Sequence, residues 1–122
     1  MTHKQTIYSQ EEALKASVEY FDGDELAATV FVTKYALRNS DGELVELIPS
    51  DMHRRLAREF ARIEAKYTNP MTEDEIFNLL DKFKYVVPQG SPMSAIGNPN
   101  QVQSISNCFV IDPPRDAYGS IA

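Results

Sequence analysis

SDMHRRLAREFARIEAKYTNPMTEDEIFNLLDKFKY, residues 50–85, carries two helix signatures back to back. Ser50 stands as an N-cap, and Met52, Leu56, Phe60 and Ile63 follow at intervals of three and four, one stripe on a 3.6-residue helix. Arg54, Arg55, Arg58, Glu59 and Arg62 occupy the rest of its surface. Thr68-Asn69-Pro70 stops the pattern, because the residue before a proline is pushed out of the helical region. Thr72 and Glu75 then form a capping box for EDEIFNLLDKFKY, a helix of about three turns.

Upstream the same signals recur. Ser9 and Glu12 make a capping box, and Leu14, Val18 and Phe21 give the first helix one apolar face. Asp22-Gly23-Asp24 breaks it, and Asp24 caps a second segment, ELAATVFVTKYAL. Leu26, Val30, Phe31, Tyr35 and Leu37 make that segment apolar on most sides, which predicts a central buried helix. Its β-branched run (Thr29, Val30, Val32, Thr33) leaves a strand open as an alternative. NSDGE at 39–43 is a turn, and LVELI at 44–48 is a short strand or extended connector that ends at Pro49.

At Val86 the character changes. No helix is expected from there to Ala122, only a Gly/Pro/Ser loop, a strand within residues 101–111, and DPPRDAYGSIA. A lone strand leaves N–H and C=O groups unpaired along both edges, so it needs more sheet than this chain supplies. The expected organisation is therefore a helical region at 1–85 and a second region at 86–122.

Composition narrows the function. A chain of 122 residues makes one domain at most, and 43% apolar with 25% charged residues is ordinary for a soluble globular protein. A net charge of −6 disfavours a nucleic-acid binder. No signal-peptide core and no membrane span is visible, and one cysteine excludes an internal disulfide or a Cys-rich zinc site. A cytoplasmic domain is the plain expectation. The arginines at 54, 55, 58 and 62 are interleaved with Glu59 and Glu64, and Arg55 with Glu59 is an i,i+4 pair. That pattern favours a solvated face or an inter-domain contact over a phosphate site. His3 and His53 have no ligand-spaced companions, so no metal site is expected.

Cys108, the lone cysteine, admits two readings from its neighbours alone. A hydrolase nucleophile needs a nearby base, and no histidine follows His53. A small buried hydrophobe is the commoner fate of a single cysteine. Gly90, Gly97 and the polar loop around them can cradle an anion through backbone N–H groups, but match no phosphate-binding fingerprint.

VPQGSPMSAIGNPNQVQSISNCFVI (87–111), with IPSDMHRRLAREFARIEAKYTNPMTEDEIFNLLDKFKY (48–85), resembles the large subunit of ribonucleotide reductase. With FDGDELAATVFVTKYAL (21–37) added, the chain looks most like the adenosylcobalamin-dependent, class II enzymes. The resemblance covers roughly residues 20–122, and "SNCF" is its most specific part. It implies a mainly α N-terminal region, followed by a loop and the first β-strand of an incomplete ten-stranded α/β barrel. It makes Cys108 one of two thiols oxidised to a disulfide as the ribose 2′-hydroxyl is lost. Ser91 matches the hydroxyl that holds substrate phosphates, and Asn107 with Cys108 matches the pair lining the ribose, although many relatives carry Ser at the Asn107 position. Asp116, and more weakly Tyr118, fall at the start of the segment that reads dNTP or ATP effectors.

The family's remaining catalytic residues have no counterpart before Ala122, so the chain alone is expected to be inactive. Its implied partners are the C-terminal part of the reductase chain and a ribonucleoside di- or triphosphate, with no nucleic acid and no membrane. A dimer of the complete enzyme is compatible with the resemblance. Adenosylcobalamin is implied for the complete enzyme and not for this fragment alone, which would be half of a split or truncated reductase. Two other classes stand beside this: a non-catalytic helical interaction module, and a nucleotide-binding regulator built on the polar loop.

Overall fold

The computed structural model describes residues 5–100. Its elements are α1 (Gln10–Tyr20), α2 (Glu25–Val30) running into a π-helical turn (Phe31–Tyr35), α3 (Pro49–Glu64), α4 (Glu73–Leu80) ending in a 3₁₀ turn (Asp81–Phe83), and α5 (Gly90–Ala95). No strand occurs among the described residues; Leu44 alone makes isolated antiparallel bridges, to Tyr8 and to Arg38. The β-branched run at 29–33 is thus helical, as Thr29 and Thr33 hydroxyls fold back onto the carbonyls of Glu25 and Thr29 at 2.8 and 2.7 Å.

Local caps set most helix starts. Ser9 Oγ accepts from Glu12 N at 3.1 Å, and Asp24 Oδ1 accepts from Ala27 N at 3.0 Å. Thr72 and Glu75 form the full reciprocal box, with Thr72 Oγ1 accepting from Glu75 N at 3.2 Å and Glu75 Oε1 from Thr72 N at 3.4 Å. α3 starts differently from the sequence reading. Pro49 takes the first helical position, where its missing N–H costs nothing, and Asp51 Oδ2 accepts from Leu47 N and Ile48 N at 2.8 and 3.1 Å. Ser50 lies inside the first turn, and its hydroxyl is spent elsewhere.

The core gathers Ala13, Phe31, Val32, Leu44, Met52, Leu56, Ala57, Ile76, Leu80 and Met93. α3 lies against α4, and α1 against α2 and the π turn. α1 buries Ala13, Ser17 and Tyr20, while Leu14, Val18 and Phe21, the expected face, are only half-buried. The buried side of α3 holds Met52 and Leu56 as read, but adds His53, Arg55 and Ala57. Phe60 and Ile63, the far end of the expected stripe, stay 37% and 39% exposed.

One expectation is corrected outright for residues 90–95. They form α5, where no helix was expected, and Met93 enters the same core as α3 and α4. The strand expected within residues 101–111 lies outside the described residues. No helix among those described is long and apolar enough to cross a membrane.

Candidate functional site

α5 carries Ser91 and is the part of the expected site that falls within the described residues. Asn107, Cys108, Asp116 and Tyr118 lie outside them. Six residues form too short a helix to hold itself, since nucleation is costly and little propagation follows. Its fixation comes from α3.

Arg55, only 6% exposed, spreads its guanidinium over four groups. Nε donates to Glu46 Oε2 at 2.9 Å, Nη2 to the Met93 carbonyl at 2.8 Å, and Nη1 to the Ile96 carbonyl. Nη2 also approaches the Tyr35 carbonyl at 3.4 Å. Glu46, 5% exposed, completes its own shell by accepting from Leu37 N at 2.8 Å through Oε1. A buried carboxylate and guanidinium are tolerable only when paired and hydrogen-bonded, and both conditions are met. The planar five-donor fork of arginine allows one side chain to serve a carboxylate and two carbonyls together.

Two glycines let the segment approach. Gly97 has φ +74°, and a Cβ there would stand 2.9 Å from Arg55 Cγ. At Gly90 a Cβ would stand 2.9 Å from Tyr35 Oη. The segment borders two polar clefts. One, of about 390 Å³, is lined by Lys34, Arg38, Asn39, Ser94 and Asn98 among others. The other, of about 340 Å³, includes Glu46, Arg54, Arg55, Arg58 and Gly97.

A second polar cluster, half-buried, lies at the other edge of α3. Asp81 Oδ1 accepts from Tyr20 Oη and Ser50 Oγ, each at 2.9 Å, and faces His53 Nδ1 at 3.2 Å. Lys82 N donates to Tyr20 Oη at 2.7 Å, and Lys82 Nζ to the Tyr20 carbonyl at 3.0 Å. Lys82 and Phe83 reach these places with φ +60° and +53°, left-handed values that cost energy for residues with a Cβ. Phe83 thereby packs edge-on to His53 at 4.7 Å and stacks on Phe21 at 6.0 Å.

Burial lowers the His53 pKa below its ordinary value, against the upward pull of Asp81. The neutral ring thus donates from Nδ1 to Asp81, and Nε2 is buried without a hydrogen-bond partner. Burial pushes the Asp81 carboxyl up, but the donors Ser50, Tyr20 and His53 outweigh it and hold the pKa below the usual range. Burial, then the Asp81 hydrogen bond, raises the Tyr20 phenol. Ser, His and Asp meet here without hydrolase geometry, because Ser50 donates to the carboxylate and not to His53. The cluster ties α1, α3 and the end of α4 together.

Two sequence expectations change. Arg55 pairs with Glu46 and not with Glu59, which is taken by Arg62; Arg54 bonds to Glu73 and Asp74. The arginine face is thus solvated at 54, 58 and 62, but Arg55 is core. The missed signal was Glu46, an acid inside the apolar run LVELI. No group of His, Cys, Asp and Glu able to hold a metal ion occurs among the described residues.

The fold and this segment define a small all-α domain that presents a short clamped helix next to its C-terminal side. The family model for the all-alpha domain of ribonucleotide reductase matches residues 21–99, more than half of the chain. The chain belongs to that family. The match supports the N-terminal part of the reductase large subunit, and with it an oxidoreductase enzyme class. No curated protein and no solved structure gives a match.

Proposed function

We propose that this chain is the helical part of a ribonucleotide reductase, inactive alone, that becomes catalytic when the remainder of the reductase joins it. The observation that carries the reading is the family match over residues 21–99, which takes in all of α2 to α5 and the clamp on α5. In this reading Ser91 helps hold the substrate di- or triphosphate, and Asn107 with Cys108 lines the ribose. Cys108 and a second thiol from the rest of the enzyme lose two electrons and two protons in becoming a disulfide. The ribose 2′-hydroxyl leaves as water, and hydrogen replaces it at C2′. Residues 101–111 supply the first barrel strand, and Asp116 and Tyr118 begin the effector segment.

Adenosylcobalamin is the radical source of the complete enzyme in this reading. His53, the single imidazole among the described residues, is fully buried with Nδ1 committed to Asp81, so the described residues offer that group no free imidazole. The chain's own contribution is to hold substrate and supply one reducing thiol.

Native mass spectrometry of the chain co-expressed with its neighbouring open reading frames tests the reading. A stable complex that reduces ribonucleotides with adenosylcobalamin is expected. A chain that stays alone and inactive with every neighbour contradicts it.

A further inference from the structure

α5 cannot satisfy its own C-terminal carbonyls. Pro92 O accepts from Ile96 N at 3.0 Å and Ala95 O from Asn98 N at 3.1 Å, which leaves the Met93 and Ile96 carbonyls to outside donors. Both receive Arg55, from a helix whose core residues Met52 and Leu56 are fully buried. Glu46 fixes the guanidinium through Nε, so the two remaining arms have one allowed direction. Gly97 keeps the approach open on one side, and Tyr35 backs Gly90 on the other. Ser91 follows Gly90 directly and lies two residues before Met93, the nearer of the two carbonyls that Arg55 holds.

We infer that Arg55, aimed by Glu46, is a positioning residue that sets the place of the Ser91 segment and thereby the affinity for the substrate phosphates. The inference rests on the role proposed above for Ser91. It assigns to this helical domain an active share in substrate binding: the clamp transmits the rigidity of α3 to a helix that has little of its own. The Arg55 guanidinium is committed to Glu46 and to the Met93 and Ile96 carbonyls, so it acts through the segment, and its loss weakens binding and spares the chemical step.

Arg55→Lys is the informative variant, because lysine retains a positive charge for Glu46 but loses the planar fork that reaches two carbonyls. Hydrogen exchange on the full chain is expected to speed up about tenfold or more at the amides of Met93, Ile96 and Asn98, with α3 protection unchanged. In the complete reductase, ribonucleotide KM is expected to rise about tenfold with kcat within about threefold, the pattern of lost uniform binding. Unchanged exchange at 93–98 overturns the inference. So does a fall in kcat at constant KM. Ser91→Ala separates the two claims: a raised KM there with a normal Arg55→Lys enzyme defeats the clamp alone. A normal KM in Ser91→Ala defeats the phosphate role of Ser91 and the inference built on it. Glu46→Gln, which keeps the acceptor for Arg55, is expected to loosen 93–98 less than Arg55→Lys, and the opposite order counts against the aiming role.

Discussion

Glu46 and His53 bury titratable groups in opposite ways. Glu46 is charged and matched, with Arg55 on one oxygen and Leu37 N on the other. Removing it by Glu46→Ala strands the Arg55 guanidinium in the core, and a loss of about 3–5 kcal/mol in unfolding free energy by urea titration is expected. His53 is neutral and half-matched, since Nε2 has no partner. Its pKa lies below the ordinary 6.5, so the unfolded chain binds a proton more readily than the folded one. Stability is therefore full above that value and falls as pH drops through it. The charged groups that act on the ring are Asp81, Glu46 and Arg55. Asp81, held below 3.8, adds a second loss only under more acid conditions. Urea midpoints from about pH 7.5 to 5.5 are expected to fall in the wild type and to stay flatter in His53→Gln. Equal slopes refute the assignment to His53.

At the scale of elements, α5 depends most on distant partners. Gly97→Ala brings a Cβ to 2.9 Å from Arg55 Cγ at a residue with φ +74°, so it strains the backbone and displaces the clamp together. A loss of about 1 kcal/mol or more is expected by urea titration, with faster exchange confined to 93–98. Asp24→Ala, by contrast, removes a single exposed cap bond, and about 1 kcal/mol of stability is expected to go with it. That contrast explains what the sequence made legible. Asp24, Ser9 and the Thr72–Glu75 box act over three residues, and each was readable from spacing alone. α5 was not, because GSPMSA has one apolar anchor, Met93, and its carbonyl partner comes from Arg55. The start of α3 slipped past Ser50, since Pro49 begins the helix and Asp51 supplies the acceptors. On α1 the buried row is Ala13, Ser17 and Tyr20 because Ser17 and Tyr20 have polar partners in the interior, Leu47 O and Asp81, that no hydrophobic pattern announces.

The whole described body is held by one core centred on α3, into which the turn at 44 and α5 at 93 both send a side chain. Leu56 is fully buried there, and Leu56→Ala is expected to cost about 2–5 kcal/mol, with α5 loosening alongside α3 because both share the core. Residues 21–99 carry the family's all-alpha domain, and the resemblance read from 21–37 and 48–85 in the sequence falls in that span. The chemistry proposed for the molecule rests beyond α5, on Cys108. Ribonucleotide turnover by the assembled reductase, wild type against Cys108→Ser, with a dithiol reductant, tests the account most directly. The account predicts turnover in the first and its loss in the second, while the complex still forms. Full turnover by Cys108→Ser would contradict it.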